Sequence, residues 1–156
     1  MRVSMVGTGY VGLVTGVCLA ETGNEVCCLD VDTDKINRLR NNECPIYEPG
    51  LTELMERNHA AGRLTYSTDP FEAHRDAEVV FISVGTPSDD RGHTNLEYVF
   101  RAADDVADVL KQLGPDQTPK VVVVKSTVPV GTTHAVRDRI RERAGHDIPF
   151  HIADNP

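Results

Sequence analysis

The sequence predicts an α/β fold built on a doubly wound parallel sheet with strand order 3-2-1-4-5-6, and three observations lead there. Short runs rich in Val and Ile alternate with helical patterns along the chain, the signature of repeated strand-helix units. The first run leads directly into a glycine-spaced turn, Gly7-Thr8-Gly9-Tyr10-Val11-Gly12, that opens a helix. The second run ends on a carboxylate, Asp30.

The strand candidates are Val3–Val6, Val26–Leu29, Leu64–Ser67, Val79–Val84, Val121–Val124 and Phe150–Ile152. Between the first two, Val11–Thr22 carries small and apolar residues on most positions, which suits a helix packed tightly on a sheet, and Gly23-Asn24 ends it. Asp34–Arg40 and Leu51–His59 read as the next helices. Pro70–His74 is a short helix with Asp69 as N-cap and Pro at its first position. Leu96–Leu113 places Val99, Ala102, Ala103, Val106, Ala107 and Leu110 at helical spacing, and Gly114-Pro115 stops it. The last helix, with Ala135, Val136 and Ile140 as its apolar face, is expected to be capped by Thr132 or Thr133. Ser88–Asn95 and Gly114–Pro119 are short enough to be loops within one domain.

A length of 156 residues fits that single domain, spanning residues 1–156. The apolar fraction of 40% and charged fraction of 26% are ordinary for a globular protein. No apolar run suits a membrane span or a signal peptide, which predicts a cytoplasmic protein with no membrane partner. A net charge of -8 without a basic patch argues against nucleic acid. Cys18, Cys27, Cys28 and Cys44 lack CxxC spacing and interleaved His, so no metal site is expected and all four read as buried reduced thiols. The chain stops at Asp154-Asn155-Pro156 directly after a strand, and it is expected to be cut short.

The chemistry concentrates at the strand ends. In G-x-G-x-x-G, Gly7 permits a tight turn, Gly9 lets a pyrophosphate approach the backbone, and Gly12 allows close packing of helix and strand. The N–H groups of Tyr10 and Val11 then meet the anion at a helix N-terminus. Asp30 lies where a Rossmann-type fold holds the adenosine ribose, and its charge disfavours a 2′-phosphate, so NAD is favoured over NADP. Lys35 and Arg38 are close enough to work against that preference, while Asp32 and Asp34 read as helix capping. Thr86 and Thr127, just after the fourth and fifth strands, fall on the same crevice.

Taken together, GTGYVGLVTGVCLAETGNEV (7–26), LDVDTDKI (29–36), PIYEPGLTELM (45–55), GRLTYSTD (62–69), FISVGTP (81–87) and VVVVKSTVPVGTT (121–133) resemble the UDP-glucose/GDP-mannose dehydrogenases, and more the UDP-glucose 6-dehydrogenase branch. The resemblance implies NAD contacts by Tyr10 and Val11 at the pyrophosphate, by Asp30 and Lys35 at the adenosine ribose, and by Thr86 and Thr127 nearer the nicotinamide. It implies oxidation of a nucleotide sugar by two hydride transfers to NAD through a covalent thioester on a cysteine, as part of polysaccharide biosynthesis. No cysteine here matches that nucleophile's motif, so no catalytic residue is assigned and these 156 residues alone are expected to be inactive. The sugar-nucleotide domain and the central helix that forms the family's homodimer would lie beyond residue 156. Asp154 departs from the small polar residue more familiar before Asn-Pro, and Glu48 of the YEPGL stretch has no role beyond turn chemistry. A GDP-mannose or N-acetylated UDP-sugar dehydrogenase, or a non-catalytic dinucleotide sensor, remain alternatives.

Overall fold

A computed structural model describes residues 1–88, 90 and 92–156. Its strands are β1 (Arg2–Val6), β2 (Glu25–Leu29), β3 (Leu64–Ser67), β4 (Val79–Ile82), β5 (Lys120–Val124) and β6 (Phe150–Asp154). Its helices are α1 (Tyr10–Glu21), α2 (Thr33–Arg40), α3 (Leu51–Ala60), α4 (Pro70–His74), α5 (Glu97–Leu113) and α6 (Thr132–Ala144). The six strands form one sheet in the order β3-β2-β1-β4-β5-β6, and every pairing is parallel. Parallel strands need crossovers, which cover both faces and make the strands apolar runs.

The sheet divides the core into two layers. On one face Met5, Cys28 and Tyr66 meet Leu13 and Val17 of α1, Ile36 of α2 and Met55 of α3. On the other, Val80, Ile82, Val122 and Val124 meet α4, α5 and α6 through Ala73, Val99, Val106, Val136 and Ile140. Each fully buried large aliphatic side chain contributes roughly 1.5–3 kcal/mol. Glycine lets α1 approach the sheet, because a Cβ on Gly16 would stand 2.9 Å from Cys28 Sγ.

Three expectations are corrected. β4 stops at Ile82 rather than Val84, because its pairing with β1 ends at Val6↔Ile82, where β1 turns into the glycine loop. The N-cap of α6 is Gly131, at φ 89° with no side-chain cap, and Thr132 is already helical; the turn closed by Thr132 N–H on Pro129 O sets that start. Of the four cysteines, all free, Cys28 alone is buried and Cys18 is exposed. Asp69 caps α4 through Phe71 N–H at 2.9 Å, as its spacing predicts. In the Ser88–Asn95 loop, Ser88 and Thr94 form an isolated antiparallel bridge, while Asp89 and Arg91 lie outside the described residues.

Two buried polar side chains tie α4 to the sheet. Lys120 donates from Nζ to Arg75 O at 2.9 Å and Ala77 O at 2.7 Å. His74 Nδ1 lies 2.9 Å from Ser4 Oγ, and its Nε2 has no partner among the described residues. Burial, with help from the Lys120 ammonium, holds the His74 pKa at about 4, below its ordinary 6.5. The unfolded chain therefore takes up this proton near pH 6.5 and the folded chain only near 4. The stability His74 confers is complete above that window and falls as pH drops through it, by on the order of 3 kcal/mol in all. We expect the urea midpoint to fall from about pH 7 to about pH 4.5, and His74→Gln to fall less over the same interval; equal slopes would refute the assignment.

Candidate functional site

Because all six strands run parallel, their carboxyl ends share one edge, and the chain leaves each of them into a loop there. The glycine loop between β1 and α1 is the tightest. Gly7 adopts φ 95°, and a Cβ on it would stand 2.7 Å from Ser83 O. A Cβ on Gly12 would stand 2.0 Å from Gly7 O, so the third glycine is required by the loop's own backbone. Gly9 differs from both. Its φ is -73°, open to any residue, and nothing lies within 4 Å of where its Cβ would be. What the second glycine leaves clear is space outside the protein.

That space lies at the start of α1. Gly9 is the N-cap and offers no side-chain acceptor, no acidic residue occupies the first turn, and the first intrahelical bond runs from Leu13 N to Gly9 O. The N–H groups of Tyr10 and Val11 precede that bond, so they carry the helix's positive end without an internal acceptor. The contrast with α2 is instructive, since there Asp32 accepts from Lys35 N–H at 3.0 Å and Asp34 sits in the first turn. Asp32 lines the crevice as well but spends Oδ1 on this cap, whereas Asp30 caps no helix.

Asp30 is held from three directions. Its Oδ2 accepts from Thr8 N–H at 2.9 Å, Thr8 Oγ1 at 2.6 Å and Lys35 Nζ at 3.0 Å, while Oδ1 accepts, among the described residues, from Asp32 N–H alone at 3.1 Å. Burial alone would raise its pKa, but the Thr8, Asp32 and Lys35 hydrogen bonds outweigh it and hold the carboxyl below its usual range. It is ionised at neutral pH, with Oδ1 able to accept further hydrogen bonds. Thr8 was not among the predicted site residues, yet it joins the glycine loop to this carboxylate. Its hydroxyl between two glycines was the available signal. Lys35 is taken up by Asp30, and Arg38 pairs with Glu43 at 3.4 Å, so neither stands as a free cation for a 2′-phosphate.

A cleft of about 420 Å³ opens along this edge and is lined by Gly7, Gly9, Asp30 and Lys35. Ser83 lines it too, and its buried Oγ has no hydrogen-bond partner among the described residues. Gly12 lies buried beneath the loop. Thr86 and Thr127 are outside that cleft but are brought together, Thr86 Oγ1 donating to Thr127 O at 3.1 Å. Tyr10 donates its hydroxyl to Glu48, so the YEPGL stretch has a physical role after all: it is tied to the first residue of α1. Asp154 also has a partner, accepting from Thr133 Oγ1 at 3.2 Å. Among the described residues no cluster of His, Cys, Asp and Glu could hold a metal.

The model of the UDP-glucose/GDP-mannose dehydrogenase family, NAD binding domain, matches residues 1–156. The chain belongs to that family. A UDP-glucose 6-dehydrogenase of Bacillus subtilis (strain 168) is 44% identical over 156 residues, which cover 100% of this chain and 34% of the relative. Among solved structures, a UDP-glucose dehydrogenase from Pyrobaculum islandicum superposes with a TM-score of 0.92 at 40% identity, over 99% of this chain and 35% of that one. A ternary complex of GDP-mannose dehydrogenase from Pseudomonas aeruginosa gives a TM-score of 0.94 at 36% identity, over 100% and 36%. The chain thus spans about a third of the length of these relatives. What it matches is that family's NAD binding domain.

The glycines separate folding from binding. Gly12→Ala should destabilise by roughly 1–3 kcal/mol or more, because the loop backbone must move, and should shift the urea midpoint accordingly. Gly9→Ala should leave that midpoint almost unchanged while weakening NADH binding by calorimetry; a Gly9→Ala protein that binds like wild type would show that Gly9 does not face the cofactor.

Proposed function

We propose that residues 1–156 are the cofactor half of a cytoplasmic, homodimeric UDP-glucose 6-dehydrogenase, which oxidises UDP-glucose to UDP-glucuronate with two NAD. The observation that carries the cofactor site is Asp30: an ionised carboxylate with an available oxygen, facing a cleft beside an uncapped helix N-terminus. The fit can be followed group by group. Gly9 leaves room for a pyrophosphate and Ser83 Oγ is an orphan within the cleft, so the groups present suit a polar, anionic ligand. UDP-glucose enzymes range from 35 to 48% identity and GDP-mannose enzymes stand at 36 and 38%, so the higher identities, 44 and 48%, support UDP-glucose as the substrate. Four free cysteines suit a reducing compartment.

In this reading Tyr10 and Val11 N–H groups hold the pyrophosphate, Asp30 accepts from the adenosine ribose hydroxyls, and Lys35 keeps Asp30 ionised and in place. Thr86 and Thr127, linked by their hydrogen bond, orient the nicotinamide end. Bound NAD supplies the hydride acceptor. The sulfur nucleophile comes from elsewhere in the protein. None of the four cysteines lines the cleft, and burial pushes the Cys27 and Cys28 thiols up, away from the thiolate form.

Asp30→Ala should weaken NADH binding by about 1–3 kcal/mol, since a charged hydrogen-bond acceptor is removed, and wild type should bind NADPH at least about tenfold more weakly than NADH. Equal affinity for the two dinucleotides by calorimetry would remove Asp30 from the ribose. The 156 residues should bind NADH yet produce no NADH from NAD and UDP-glucose in a spectrophotometric assay; turnover by the chain alone would overturn the placement of the nucleophile outside it.

A further inference from the structure

α5 divides its acids between two neighbours. Asp104 and Asp108, one turn apart, form two-pronged pairs with α6: Arg139 Nε and Nη2 reach Asp104 at 2.6 and 2.7 Å, and Arg143 does the same to Asp108 at 2.6 and 2.7 Å. Asp105 lies on a different face of the helix, the stripe Tyr98-Arg101-Ala102-Asp105 that forms the α5 wall of the cleft. Arg101 turns its guanidinium to Glu97 at 3.1 Å. Asp105 receives no hydrogen bond or ion pair from any described residue, although it is half-buried, and burial with the nearby charges of Asp108 and Asp104 pushes its pKa up. It is an acceptor in a cleft, short of a donor.

We infer that Asp105 reads the adenine base of the dinucleotide, accepting a hydrogen bond from the exocyclic amine. The inference rests on the cofactor reading above. With the pyrophosphate at Gly9 and the adenosine ribose at Asp30, the covalent order of the dinucleotide carries the base past Asp30. The cleft is lined as well by Val31 after β2, by Thr68 and Pro70 after β3, and by the α5 stripe. Val31 is 79% exposed at this rim, an apolar side chain without cover that a planar base would shield. An amine opposite Asp105 donates to the carboxylate, whereas a base with a carbonyl at the same position sets two acceptors against each other and leaves Asp105 unsatisfied.

Calorimetry with NADH and with reduced nicotinamide hypoxanthine dinucleotide, which carries oxygen in place of the amine, tests this. Wild type should prefer NADH by about tenfold. Asp105→Ala should bring the ratio close to one, and Asp105→Asn, whose amide can accept from the adenine amine or donate to the hypoxanthine oxygen, should also bring it close to one. A merely structural role would move both affinities together. An unchanged ratio in both variants overturns the inference while leaving the cofactor reading intact; failure of wild type to bind NADH at all would instead remove the reading on which it rests.

Discussion

The cleft depends on a backbone approach. α1 begins so close to the turn that precedes it that a single methyl group at Gly12 would fall 2.0 Å from the carbonyl of Gly7. That proximity fixes where α1 starts, and hence where its unbonded N–H groups are presented. It also holds Thr8 between the ends of β1 and β2, where its amide and hydroxyl both reach Asp30. The uncapped helix end and the hydrogen-bonded carboxylate at the cleft are therefore two consequences of one loop geometry. The parallel sheet does the rest by bringing the loops after β4 and β5 to the same edge.

Much of this was legible in the residues because the relevant signals are local. β-branched runs mark strands that are buried on both faces, and β3 and α4 begin and end where the sequence places them. The glycine loop and Asp30 are legible because each position answers to a steric or charge requirement that depends on neighbours a few residues away. Strand ends were less so: β4 ends where its partner turns away, a matter settled by β1 some seventy residues earlier.

The site residues that escaped sequence reasoning did so for a common reason, which is that direction is not written in spacing. Thr8 occupies a variable position of the glycine motif, and only the course of the loop aims its hydroxyl at Asp30. In sequence Glu48 has only turn chemistry to offer, whereas the fold sets the loop between α2 and α3 beside Tyr10. Spacing alone does not sort the acids of α5. They separate into paired and unpaired groups only once α6 stands on one side and the cleft on the other. Gly131 gave way in prediction to threonines because these are the better side-chain caps, whereas the chain uses a left-handed turn instead.

The triple engagement of Asp30 bears on how easily such a domain could drift toward another cofactor. Replacing the carboxylate alone would strand the Thr8 amide, which is buried, and release Lys35, whose charge is otherwise spent within the protein. With Asp30 holding the ribose as proposed, a lineage changing dinucleotide preference would have to alter the loop, the carboxylate and the lysine in concert, and each intermediate would carry an unsatisfied donor or an unpaired charge. Cofactor identity is in this sense guarded by the fold's own stability, and a protein engineer redirecting it would meet the same barrier.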